Sequence, residues 1–126
     1  MTGTAGTGVR LGSVVLGSTD PHRLRSWYRT ILAIDDDNGG SNLELGGASR
    51  LIFDRRADVA ATSTEPGRIL VNLYVDDIDA VTTRLAGLDV AWVRPVEPFP
   101  PGLIATIRDP DGNYVQLIQF VQRSAT

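Results

Sequence analysis

Asp109-Pro110-Asp111-Gly112-Asn113-Tyr114-Val115-Gln116-Leu117 is the stretch that decides the fold. Its first five residues spell a tight turn. Pro110 pre-sets φ, Gly112 accepts a positive φ, and the Asp and Asn side chains can bond nearby backbone. The residues that follow alternate, which predicts a strand over 114–121. In that strand Tyr114, Gln116 and Ile118 face one way, and Val115, Leu117 and Phe120 roughly the other. A preceding strand over 103–108 completes a hairpin. Gln116 thus shares a sheet face with two bulky side chains, where it is a ligand, a substrate contact or a bystander.

Upstream of this hairpin the chain states one pattern twice. Val14, Leu16 and Asp20 recur as Val71, Leu73 and Asp77, each 57 residues on. In the first half a strand over 10–17 runs into Ser18-Thr19-Asp20-Pro21, where Asp20 caps a helix and Pro21 suits its first position. Leu24, Trp27, Tyr28 and Ile31 then follow the spacing of one buried helical stripe. A brief strand over 34–37 and a short hairpin come next, with Leu43-Glu44-Leu45, a Gly46-Gly47 turn and a strand over 50–54. Residues 55–67 form the connector. In the second half the strand is 69–75, and Asp76 or Asp77 caps a helix carrying Ile78, Val81, Leu85 and Leu88. Gly87 ends that helix. A strand over 89–94 follows, and the proline-rich residues 95–102 read as a loop.

Each half is therefore βαβββ, and the fold class expected is α+β with two such modules. Module one covers 10–57 and module two 67–122 of a single domain over 10–122, behind a flexible tail at 1–9. At 126 residues the chain can bury a real core. No apolar run approaches a membrane span. The opening residues have neither a basic start nor an apolar core, so the expectation is a cytoplasmic protein without a signal peptide. The formal charge of −3 and the lack of a basic block argue against a nucleic-acid partner.

Absences narrow the chemistry. There is no cysteine, which excludes thiolate catalysis, disulfides and Cys-bound zinc. All 12 basic residues are arginine, so lysine Schiff-base chemistry is excluded too. His22 is the single histidine, and any conventional Ser-His-Asp triad must use it.

The chain resembles the vicinal oxygen chelate superfamily, which includes glyoxalase I, bleomycin-resistance proteins and extradiol dioxygenases. Three segments carry the resemblance: Ser13-Val14-Val15-Leu16 with Asp20, Trp27-Tyr28 and Leu32; Leu73-Tyr74-Val75-Asp76-Asp77-Ile78-Asp79-Ala80; and the closing turn and strand quoted above. The resemblance implies curved mixed sheets around a central cavity, often in a homodimer. In the family's metal enzymes the cation is held from the first and last strands of each module. Carried over, those positions fall on Ser13, Leu70, Gln116 and, within one residue, Ile52. Leucine and isoleucine coordinate nothing, and serine and glutamine offer only neutral oxygens. Divalent transition metals draw affinity from imidazole, thiolate and carboxylate, so neither a metal nor another cofactor is expected.

Alternation puts Ser13, Val15, Gly17, Leu70, Asn72, Tyr74, Tyr114, Gln116 and Ile118 on the cavity face, joined by Trp92 or its neighbours. The candidate ligand contacts are Ser13, Asn72, Tyr74, Trp92, Phe99, Tyr114 and Gln116. Such a lining suits an organic molecule held by shape and a few hydrogen bonds, with Trp92, Tyr74 and Phe99 able to stack on a planar ring. Trp92 fits a core, an interface or a ligand contact, and Gln116 with Asn72 can equally satisfy each other or a buried water. Trp27 and Tyr28 read as core, His22 as a solvated first-turn residue, and Asp35-Asp36-Asp37 as an exposed loop. The functional expectation is a metal-independent small-molecule-binding protein. The alternative is a lyase, isomerase or dioxygenase of the glyoxalase type, with Glu44, Asp54, Tyr74 and Tyr114 as acid–base candidates. A third reading is a module kept for subunit association.

Overall fold

The computed structural model describes residues 8–35 and 40–121. Two helices are nucleated by the same device in each half. Asp20 accepts a hydrogen bond from the Arg23 N–H at 3.2 Å and starts α1 (Pro21–Ile31) with proline in its first turn. Asp77 accepts from the Ala80 N–H at 3.1 Å and starts α2 (Ile78–Ala86), which Gly87 ends. The recurrence 57 residues apart in the sequence is thus a recurrence of caps.

Around α1 lie β1 (Ser13–Ser18), β2 (Asn42–Glu44) and β3 (Arg50–Arg55), in the order β1-β3-β2. Around α2 lie β4 (Val71–Tyr74), β5 (Ala91–Phe99), β6 (Gly102–Arg108) and β7 (Tyr114–Phe120), in the order β4-β7-β6-β5. In both sheets the first strand of the module lies parallel to the last, and the remaining pairs are antiparallel. Module two is a complete βαβββ unit. Of the brief strand expected over 34–37, Ile34 and Asp35 have no regular structure, and residues 36 and 37 lie outside the described residues. The acidic run Asp35-Asp36-Asp37, the start of the expected tail and Gln122 are likewise partly or wholly outside them.

Two expectations are corrected. Residues 95–99 are not loop, since β5 continues through Pro95 and Pro98 to Phe99. The reason is position. β5 is the edge of its sheet and its pairing with β6 shifts register twice, so missing N–H groups cost no ladder bond there. Phe120 also sides with Gln116 rather than with Leu117, because β7 keeps strict alternation and Phe120 stands opposite Gly102.

The helices cover one face of each sheet and share one core. Leu24, Tyr28 and Ile31 of α1 pack with Leu51 and Phe53 below them, and this cluster runs on into Leu73, Ile107, Val115 and Leu117 of module two. Tyr28 meets Trp27 edge-on at 4.8 Å and Phe53 at 5.6 Å. Its hydroxyl then donates to Asp109 Oδ2 at 2.7 Å, across the module boundary.

Asp109 is where the closing turn is knotted. Its Oδ1 accepts from the Asp111 and Asn113 backbone N–H groups, each at 2.9 Å, and its Oδ2 also accepts from Asn113 Nδ2 at 2.9 Å. Gly112 sits at φ 84°, and a Cβ there would come within 2.8 Å of Thr62 Cγ2, so glycine is required twice over. Outside the turn, Ser63 N–H donates to the Asp111 carbonyl at 2.8 Å and Arg23 Nη2 reaches Asp111 Oδ1 at 3.3 Å.

Burial, with the charges of Asp109 and Asp111 adding, pushes the Tyr28 hydroxyl well above the ordinary tyrosine pKa, so it stays a donor. Burial also raises Asp109 above the usual carboxylate value, against the opposing pull of bonds from Asn113 and Tyr28. The folded chain therefore holds a proton at Asp109 more tightly than the unfolded chain. That contribution favours folding below the ordinary carboxylate pKa of about 4 and is lost as pH rises through the folded value. Urea unfolding should show Tyr28→Phe less stable than the parent by about 1–3 kcal/mol at neutral pH. The stability advantage of the parent over Asp109→Asn should be largest below pH about 4 and shrink to a plateau above the raised pKa. An advantage that grows with pH across that window contradicts the assignment.

Candidate functional site

The face of each sheet turned away from the helices carries the polar and aromatic side chains expected of a site. In module two the strand register orders them into rows. Arg94, Thr106, Gln116 and Asn72 form one row across all four strands. Glu97, Ile104, Ile118 and Tyr74 form the next. Arg108 stands beside Tyr114, and Gly102 stands between Phe99 and Phe120. In module one the rows are Ser13, Arg50 and Glu44, then Val15, Ile52 and Asn42.

Within these rows the contacts are sparse. Gln116 Nε2 reaches Thr106 Oγ1 at 3.5 Å, and Thr106 is buried. Gln116 lies next to Asn72 in register, but its hydrogen bond goes the other way, to β6. Tyr114 is engaged by Arg108, whose guanidinium lies 5.2 Å from the ring and whose Nη2 donates to the hydroxyl at 3.3 Å. Arg94 pairs with Glu97 at 3.2 Å. Tyr74 meets Phe120 edge-on at 5.0 Å and is otherwise 71% exposed.

A cleft of about 670 Å³ opens beside the free edge of β4. Its apolar walls include Leu32 and Ile34 from the end of α1, Leu45 after β2, and Val75 after β4. Its polar groups are Asn72, Tyr74, Asp76, Glu44 and Ser49. The volume is in the range of drug-sized ligand sites.

The expected contacts separate accordingly. Asn72 and Tyr74 line the cleft, and Gln116 is one strand further in. Ser13 lies on the module-one face beside Arg50, while Tyr114 and Phe99 occupy other rows of module two. Trp92 pairs with Ile107, which is core, and so stands on the helix side of its sheet, 42% exposed at the edge. The register shift after Trp92 is what turns Arg94 to the opposite face, and a strand with a bulge cannot be phased from composition alone. Phe120, Thr106 and Arg94 are face residues that the sequence reading passed over. Strict alternation from Gln116 would have found Phe120, whereas Arg94 was hidden by the bulge. His22 is exposed in the first turn of α1, away from these rows.

The positions that the sequence resemblance assigns to a cation do not fit one here. Ser13 and Ile52 lie on one sheet, Gln116 on the other, and Leu70 just before β4. Together they offer one hydroxyl and one amide oxygen. Among the described residues no three His, Cys, Asp or Glu side chains converge to hold an ion. No helix among them is long and apolar enough to cross a membrane.

Comparisons with known proteins agree with this architecture. A model of the glyoxalase-like domain matches residues 13–118. TnmS3, described as an antibiotic binding protein from Streptomyces sp. CB03234, is 23% identical, with 91% of this chain and 98% of that one covered at a TM-score of 0.68. A glyoxylase/bleomycin resistance protein/dioxygenase domain from Frankia sp. EAN1pec is 20% identical, with 96% and 99% covered at 0.67. The oxidase ChaP-H2 is 14% identical, with 95% and 100% covered at 0.73. At these identities the likeness is one of fold. No curated protein matches. Protein loaded with excess manganese, iron, nickel or zinc and then desalted should retain no stoichiometric metal by elemental analysis. A metal held one per chain, and lost in Gln116→Leu, would refute the misfit.

Proposed function

The chain belongs to the glyoxalase-like domain family of the vicinal oxygen chelate superfamily, and from that premise we propose that it binds an organic small molecule without a metal. The observation that carries this reading is the cleft beside β4, whose walls are apolar and whose polar groups are largely uncommitted. Asn72 and Tyr74 line it, and Gln116 stands beside Asn72 on the neighbouring strand. Ser13, Tyr114 and Phe99 extend the same helix-free faces, where a larger ligand or a second copy meets them. Binding rests on shape, ring contact and the cleft's own polar side chains rather than on a cation, since the family's cation positions hold no anionic or imidazole donor.

The same reading makes the protein a homodimer. Val15, on the edge strand β1 of the module-one face, is 54% exposed, and Phe120 on the module-two face is 43% exposed. Bringing such faces together buries both, and twofold pairing is the commonest closed assembly. Light scattering should give a mass near twice 13.6 kDa.

Isothermal calorimetry against a panel of planar antibiotics and aromatic metabolites tests the binding reading. At least one compound should bind at a stoichiometry of one per chain or one per dimer, and Tyr74→Ala should weaken it roughly tenfold or more. A panel with no binder, together with a cleft packed shut in a crystal, would defeat the proposal.

A further inference from the structure

The cleft beside β4 carries a charge pattern that the binding reading alone does not use. Glu44, the last residue of β2, and Asp76, just after β4, both line it. No arginine lines the cleft. Among the described residues neither carboxylate makes a hydrogen bond or an ion pair. Arg50, opposite Glu44 in the β2–β3 register, shares with it an adjoining hollow of about 420 Å³ and offsets part of its charge from there, without lining the cleft itself. The same cleft is lined by Leu32, Ile34, Leu45 and the exposed Tyr74.

We propose that this cleft selects organic cations: a ligand with a protonated amine or other delocalised positive charge on an apolar or aromatic body. The inference rests on the small-molecule reading and narrows it to a ligand class. Two carboxylates in an apolar cleft that no arginine lines disfavour an anion and leave a neutral ligand nothing to neutralise. A cation gains from both, and its body covers the leucine and isoleucine wall. Tyr74 adds the face of its ring, which attracts positive charge. The hydroxyl of Tyr74 and the amide of Asn72 remain for the polar edge of the ligand. Each carboxylate is exposed before binding, so its contribution is modest alone and grows as the ligand body displaces water from the cleft.

Fluorescence titration with three probes of similar size tests this: proflavine as a planar cation, acridone as its neutral counterpart, and 1-anilinonaphthalene-8-sulfonate as an anion. Proflavine should bind at least about tenfold more tightly than acridone, and the sulfonate most weakly. Glu44→Gln and Asp76→Asn should each weaken proflavine by about three- to fivefold, and the double variant by more, with a clearly smaller effect on acridone. Raising ionic strength should weaken proflavine alone. Unaltered circular dichroism and thermal melting in the double variant establish that the fold is kept. Acridone or the sulfonate binding as tightly as proflavine, or a double variant with unchanged proflavine affinity, overturns cation selection and leaves the small-molecule reading standing. If none of the three binds and the calorimetric panel also fails, both are overturned.

Discussion

The hydrogen bond from Tyr28 to Asp109 is the constraint on which the rest of the structure depends. It joins the first helix to the last turn, 81 residues away, inside the core. Every group around it is committed. Tyr28 fills the core with its ring and spends its hydroxyl on the carboxylate, and Asp109 uses both oxygens to hold Asp111 and Asn113 in place. A buried carboxylate costs several kcal/mol unless it is so supplied. The turn is thereby held rigid, and β7 leaves it in a fixed phase. That phase decides that Gln116 faces away from the helices and Leu117 toward them.

From the phase of β7 the site follows. β4 lies parallel to β7 and takes its register from it, which brings Asn72 beside Gln116 and Tyr74 beside Ile118. The other edge of β4 is left open, and the end of α1 and the β2–β3 turn stand across from it. The cleft is thus a junction between modules rather than a pocket within one. Its position depends on the same link that closes the core. The two carboxylates reach it from different modules, so its charge pattern exists only when both are docked.

Much of this was legible in the residues and some was not. The helix caps at Asp20 and Asp77, the buried stripe from Leu24 to Ile31 and the turn at 109–113 are local signals, and local chemistry writes them plainly. The role of Tyr28 as core was readable from periodicity, but its partner was not, because nothing in a helix pattern names an acceptor 81 residues away. The prolines of β5 misled for a physical reason: proline is excluded from central strands and tolerated at edges, and a sequence does not mark which strand is the edge. The face of Trp92 stayed open in the sequence for the same reason, since one bulge in that strand reverses the faces. The cleft itself was half legible. Asn72 and Tyr74 were visible from alternation, while Glu44 and Asp76 become neighbours of a site only once the modules are assembled.

The central claim is that this chain binds an organic ligand in the cleft beside β4 and holds no metal ion. Native mass spectrometry of protein purified without chelators reads both possibilities in one spectrum. The account predicts a species heavier than the bare chain or dimer by the mass of an organic molecule, released on gentle activation and absent from Tyr74→Ala. A mass increment of one transition-metal ion per chain, unaffected by that substitution, would contradict it.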